Sequence, residues 1–164
     1  MTQTGILRRL LQPRVSLRRL SLDAQEWAIG QLDRVPRPRL APHLETGLSG
    51  ERAALFELGR RGYVVVARRW TSTRYRGDLD LIAWQGDCLC FIEVKTRTAH
   101  DIAPAESAVD PDKRRTLRTL ARAYLRGFPD RERATIPTRF DVVSVYLLGG
   151  RPEFQFFPAA FSWE

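Results

Sequence analysis

Two strand-like runs, Asp78 to Gln85 and Cys88 to Arg97, stand only two residues apart, and no other spacing in the chain narrows the available folds as far. The intervening Gly86-Asp87 has Gly first, as a type II′ hairpin turn prefers, so the runs are expected to pair antiparallel. A two-residue loop fixes the register. Gln85 faces Cys88, Asp80 faces Glu93 and Asp78 faces Lys95. Facing residues project to the same side, so the other side gathers Leu79, Leu81, Ala83, Cys90, Ile92 and Val94 into one apolar surface. A three-residue loop would set Asp80 against Ile92 and Leu79 against Glu93, mixing charge into both faces. The remaining face is apolar near the turn, with Ile82, Trp84, Leu89 and Phe91, and charged at its open end, with Asp78, Asp80, Glu93 and Lys95.

The flanking elements follow from periodicity and punctuation. A helix is expected from Ser49 to Arg61, with Ser49 as N-cap and Gly62 as stop, then a strand from Tyr63 to Ala67. A second helix is expected from Pro111 to Arg126, capped by Asp110, with Leu117, Leu120, Ala121, Tyr124 and Leu125 as its buried stripe. Strands at Thr138 to Leu148 and Glu153 to Phe157 close the chain. A helix between Cys88–Arg97 and Thr138–Leu148 is the connection parallel neighbours need, so a mixed sheet with an opening hairpin and a right-handed crossover is expected.

Composition sets the outer bounds. With 43% hydrophobic and 28% charged residues, the 164 residues suit one domain, and no apolar run approaches the ~20 residues of a membrane span. Cys88 and Cys90 cannot form a disulfide scaffold and read as small buried hydrophobes, and no signal peptide is visible, so a reducing, cytoplasmic setting is expected. The net charge of +8 favours a polyanionic partner, nucleic acid first. Half of that excess falls in residues 1–47, a Pro- and Arg-rich extension expected to be flexible; short basic amphipathic helices bound to a membrane surface are the other reading of it. The domain proper is expected over residues 48–164. Among all the basic residues only Lys95 and Lys113 are lysine, so both positions depart from the habit of the chain.

Asp80 and Glu93 set directly opposite each other, about 5 Å apart at Cβ, repel unless something positive lies between them. Lys95 and a bound cation are the two candidates. Oxygen ligands without Cys or His select a hard ion, Mg²⁺ with Mn²⁺ as a substitute, and the Val94 carbonyl is a further ligand candidate. A divalent ion beside a lysine on a basic protein fits phosphodiester hydrolysis, the ammonium orienting a water or offsetting charge on the phosphate. A salt-bridged hairpin end is the competing account of the same residues.

Gly77-Asp78-Leu79-Asp80-Leu81-Ile82-Ala83 and Phe91-Ile92-Glu93-Val94-Lys95-Thr96-Arg97, with Gly50-Glu51 before and Arg139-Phe140-Asp141-Val142-Val143 after, resemble the YraN-type family of predicted endonucleases. The resemblance runs from about Leu48 to Trp163. It implies an α/β fold with a restriction-endonuclease-like, PD-(D/E)xK core: a mixed central sheet flanked by helices in the order α-β-β-β-α-β-β. It further implies Asp80 and Glu93 as metal ligands, Lys95 as the catalytic lysine and Glu51 as an additional acid of the site. Asp78 stands where the family usually has Glu. The implied activity is Mg²⁺-dependent cleavage of DNA, branched or damaged DNA included, in repair or recombination. Related nucleases often work as dimers, so a homodimer is one expectation; a binding module that keeps the fold without cutting is the alternative function.

Arg68-Arg69-Trp70 and Arg74-Tyr75-Arg76 precede Asp78 and interleave cations with rings, an arrangement suited to a sugar-phosphate track. Lys113 matches a lysine of the family and is expected to contact phosphate. Arg114, Arg118, Arg122 and Arg126 draw a basic line along the second helix, to be weighed between solvated face and nucleic-acid contact. Phe154, Phe156, Phe157, Phe161 and Trp163 read as core, with a dimer patch as the lesser reading.

Overall fold

A computed structural model describes residues 41–99 and 109–164; the expected basic extension lies outside the described residues up to residue 40. The order is α1 (Pro42–Arg60), β1 (Val64–Thr71), β2 (Asp78–Gln85), β3 (Cys88–Arg97), α2 (Pro111–Leu125), the single turn α3 (Asp130–Arg133), β4 (Thr138–Tyr146) and β5 (Glu153–Phe161). The five strands form one sheet in sequential order, antiparallel except for the parallel β3–β4 pair that α2 connects. This is the mixed, helix-flanked sheet of a restriction-endonuclease-like core. Gln85 pairs with Cys88 and the register holds to Leu81–Ile92, as the two-residue turn requires.

Each face of the sheet builds its own core. On one, Ala54 and Leu58 of α1 pack on Leu81, Ala83, Cys90, Ile92, Val143 and Val145. On the other, Leu117, Leu120, Ala121 and Leu125 of α2 cover Ile82, Leu89, Phe91 and Phe140. At about 25 cal/mol per Å² of apolar surface, these two layers supply the main drive for folding. Asp110 caps α2, its carboxylate accepting from the Lys113 N–H at 2.8 Å.

Three expectations are corrected. The first helix starts at Pro42, not Ser49, with Pro in its first turn where a missing N–H costs nothing. Both β1 and β5 run four residues beyond their expected ends at Ala67 and Phe157. Leu79, expected beside Leu81 and Ala83, packs instead with Ile82 under α2. Alongside, β1 pairs Arg68 with Leu81 and Trp70 with Leu79, and between them Arg69 has a left-handed backbone (φ 45°), a local break in strand geometry opposite Asp80.

Candidate active site

The ladder between β2 and β3 stops at Leu81–Ile92, one position short of the expected Asp80–Glu93 pair. There the Asp80 carboxylate accepts a hydrogen bond from the Val94 N–H at 2.7 Å, so a side chain replaces the next backbone partner. Beyond that point β3 stays paired to β4 alone, through Arg97–Tyr146. The parting of strands leaves Asp80 (9% exposed) and Glu93 (4% exposed) at one cavity of about 500 Å³. Glu51 of α1 and Val94 line it too, so three acids expected from the sequence converge on one space.

Close approach of α1 to β3 brings Glu51 there. A Cβ on Gly50 would stand 1.9 Å from Thr96 Oγ1 and 2.8 Å from its Cβ, so only Gly allows this helix to lie on this strand. Gly77, just before Asp78, has φ 96° and faces Thr116 of α2, with 3.0 Å between a built Cβ and that side chain. Both glycines therefore set carboxylate-bearing segments against neighbours with no room for a side chain.

The charges are unevenly satisfied. Lys95 Nζ lies 2.9 Å from Glu93 Oε1, and Lys113 Nζ, from the first turn of α2, lies 3.2 Å from Glu93 Oε2. Glu51 Oε2 is buried with no hydrogen-bond partner, whereas the equally buried Glu93 Oε2 faces the Lys113 ammonium. Arg69 Nε, 3.9 Å from Glu51 Oε2, is an ion pair without a hydrogen bond. Burial, and next the Glu93 carboxylate, push Asp80 up to about 7 against the pull of the Val94 N–H and Lys113. Burial also raises Glu51, with Arg69 opposing and Asp78 assisting. Lys113 moves up: burial alone would lower it, but Glu93 and Asp80 outweigh burial.

A buried carboxylate oxygen without a donor, on Glu51 at a cavity shared with Asp80 and Glu93, fits a hard cation, and three carboxylates fit Mg²⁺ better than a soft metal. Among the described residues no three His, Cys, Asp or Glu side chains already stand in a ligand cage.

The basic candidates divide. Arg68, Arg69, Arg74 and Arg76 are exposed, and Arg69 reaches the site through Glu51. Tyr75 is half-buried and its hydroxyl accepts from Arg126 at 3.3 Å. The arginine line of α2 instead grips the end of the chain. Arg118 donates to the carbonyls of Ser162 (2.9 Å) and Glu164, Arg122 to that of Trp163 (3.5 Å), and Arg114 and Arg118 sit over the Phe161 ring. Asp141 is structural: it accepts from Arg139 at 2.8 and 3.0 Å and from the Ala159 N–H at 3.0 Å.

Sequence reasoning missed Thr96 and Thr98, which line the cavity, and three lining residues of α1, His43, Thr46 and Gly47. Placing the helix start at Ser49 left the last three in the extension. The available signal was their spacing from Gly50 and Glu51, three to four residues per step along one helical face.

Residues 50–145, enclosing all three acids and both lysines, match the family described as Uncharacterised protein family UPF0102. The chain belongs to the UPF0102 family. A UPF0102 protein of Koribacter versatilis (strain Ellin345) is 47% identical over 137 residues, 83% of this chain and 93% of that protein. A UPF0102 protein of Solibacter usitatus (strain Ellin6076) is 43% identical over 115 residues, covering 70% and 84%. One from Rhodococcus jostii (strain RHA1) is 40% identical over 114 residues, covering 70% and 92%. The UPF0102 match thus covers β1 to β4, α2 and the part of α1 that carries Gly50 and Glu51. No helix among the described residues is long and apolar enough to cross a membrane.

Proposed function

We propose that the chain is a Mg²⁺-dependent endonuclease of the PD-(D/E)xK type that hydrolyses phosphodiester bonds in DNA, branched or damaged DNA included, with Mn²⁺ able to substitute. The observation that carries this reading is the convergence of Glu51, Asp80 and Glu93 on one cavity, with Glu51 Oε2 buried and without a hydrogen bond. Asp80 and Glu93, with the Val94 carbonyl, are the groups that would hold the ion. When bound, Mg²⁺ supplies Lewis-acid polarisation of the phosphate and a more acidic water.

The protein's own part is positional and electrostatic. The Val94 N–H fixes one Asp80 oxygen at 2.7 Å and leaves the other available. Lys95, 2.9 Å from Glu93 Oε1, is the ammonium placed to orient a water or offset charge developing on phosphorus. Lys113 holds the second Glu93 oxygen and is the nearer candidate for a phosphate contact once that oxygen is otherwise engaged. Exposed Arg68, Arg69, Arg74 and Arg76 offer the strand a cationic approach.

A second reading, a DNA-binding module that does not cut, is favoured by one observation: both Glu93 oxygens already face lysines. Nicking of supercoiled plasmid and of a branched duplex, with Mg²⁺ or Mn²⁺, separates the two. The nuclease reading expects metal-dependent cutting that Lys95→Ala and Glu93→Ala each reduce at least about a hundredfold. Salt-sensitive binding with no cutting in either metal would establish the module instead.

A further inference from the structure

We propose that His43 is a substrate-contacting residue of this cavity, its imidazole donating a hydrogen bond to a phosphate of the bound strand adjacent to the one that reacts; this rests on reading the cavity as a phosphodiester site. His43 lies in the first full turn of α1, exposed, and lines the same cavity as Glu51, Asp80 and Glu93. His43, Gly47, Gly50 and Glu51 follow one another at helical spacing, so they share a face. The contact of Gly50 with Thr96 aims that face at the end of β3. One turn earlier a Cβ on Gly47 would meet nothing within 4 Å, so the helix is open to the cavity there. His43 stands one further turn out.

Distance assigns the role. Eight residues of helix separate His43 from Glu51, about 12 Å along the axis, too far for both to hold one ion. A group at that remove meets a neighbouring phosphate, not the reacting one.

Charge gives the need. Three carboxylates line the cavity, and the two lysines beside it, Lys95 and Lys113, are both paired with Glu93. A polyanionic strand entering there requires donors at the outer end. The positive end of α1, whose N-cap Ala41 offers no side-chain hydrogen bond, lies at the same place and is offset in part by Glu45 of the first turn.

The test is binding of a fluorescent DNA oligonucleotide to the full chain with Ca²⁺ in place of Mg²⁺, together with NMR of the His43 ring. His43→Ala is expected to weaken binding about tenfold and His43→Gln, which keeps a donor, to recover most of it. In any cleavage assay KM should rise with kcat unchanged. DNA should shift the His43 ring signals, and Gly47→Leu, which fills the open turn, should weaken binding while Gly47→Ala does not. Wild-type affinity in His43→Ala, ring signals that do not move, or no DNA binding by the wild type overturns the assignment. A wild type that binds through His43 yet never cuts overturns the nuclease reading and leaves His43 as a contact to a backbone phosphate.

Discussion

Gly47 and Gly50 sit three residues apart in α1, and the same substitution at each should move stability in opposite directions. In a helix interior Ala is favoured over Gly by about 1 kcal/mol. At Gly47 nothing stands within 4 Å of a new Cβ, so Gly47→Ala should gain about that amount and raise Tm by about 4 °C. At Gly50 the new Cβ falls 1.9 Å from Thr96 Oγ1 and 2.8 Å from both Thr96 Cβ and Cγ2. Thr96 is β-branched and its Cβ is fixed by the backbone, so rotation cannot clear the overlap; helix and strand must separate by about 1 Å or more. Overpacking costs about 1–3 kcal/mol, and an overlap this deep with a fixed Cβ falls in the upper part of that range, about 2–3 kcal/mol, which after the helix gain leaves a net loss of about 1–2 kcal/mol and a Tm lower by about 4–8 °C. Glu51, the next residue, moves with the helix, and a 1 Å displacement of a catalytic group costs about a hundredfold in rate. Thr96→Ala removes two of the three clashing atoms, so the double variant should recover at least half of both losses, a coupling that a double-mutant cycle reads directly. Calorimetry and plasmid nicking on the four proteins supply the numbers. A Gly50→Ala protein as stable as Gly47→Ala would refute the close approach of α1 to β3 and the placement of Glu51 built on it.

Asp80 gives a pH dependence. Its folded value near 7 lies above the ordinary ~4 of the unfolded chain, so between those values the native state binds the extra proton and stability falls as pH rises. In metal-free buffer the wild type should lose on the order of 4 kcal/mol of this contribution from pH 4 to 8, and Asp80→Asn should lack it; parallel urea-unfolding slopes in the two proteins would contradict the burial of a charged Asp80. Asp141→Ala strips Arg139 and the Ala159 N–H of their acceptor and should cost about 3 kcal/mol by urea unfolding while DNA affinity per folded molecule stays unchanged. Trp163 packs 4.6 Å from Phe140 and donates to Thr138 Oγ1 at 3.0 Å, so Trp163→Ala should lower stability by about 2 kcal/mol, with Arg118→Ala lowering it less.

The sheet was legible because each decisive signal was local. Gly86-Asp87 set the hairpin register, Asp110 and Pro111 started α2, and the leucine stripe of that helix predicted its buried face, all of which the structure holds. What escaped depended on contacts between distant segments. Trp70 and Leu79 turn to the α2 side beside a left-handed Arg69, which nothing in Arg68-Arg69-Trp70 announces. The arginines of α2 looked like an open basic face; their grip on residues 161–164 comes from a segment more than forty positions away. At the site, Asp80, Glu93, Lys95 and Glu51 were readable from the hairpin and the resemblance. The bracketing of Glu93 by two lysines, and the share of His43 in the cavity, needed α1 and α2 placed on opposite faces of the sheet.

Crystals grown with Mn²⁺ and measured at an energy where manganese scatters anomalously test the central claim most directly. Predicted is one strong anomalous peak within about 2.2 Å of oxygens from both Asp80 and Glu93, absent from Asp80→Asn crystals treated alike. A cavity without the peak at saturating Mn²⁺, with Glu93 still held between Lys95 and Lys113, would contradict it.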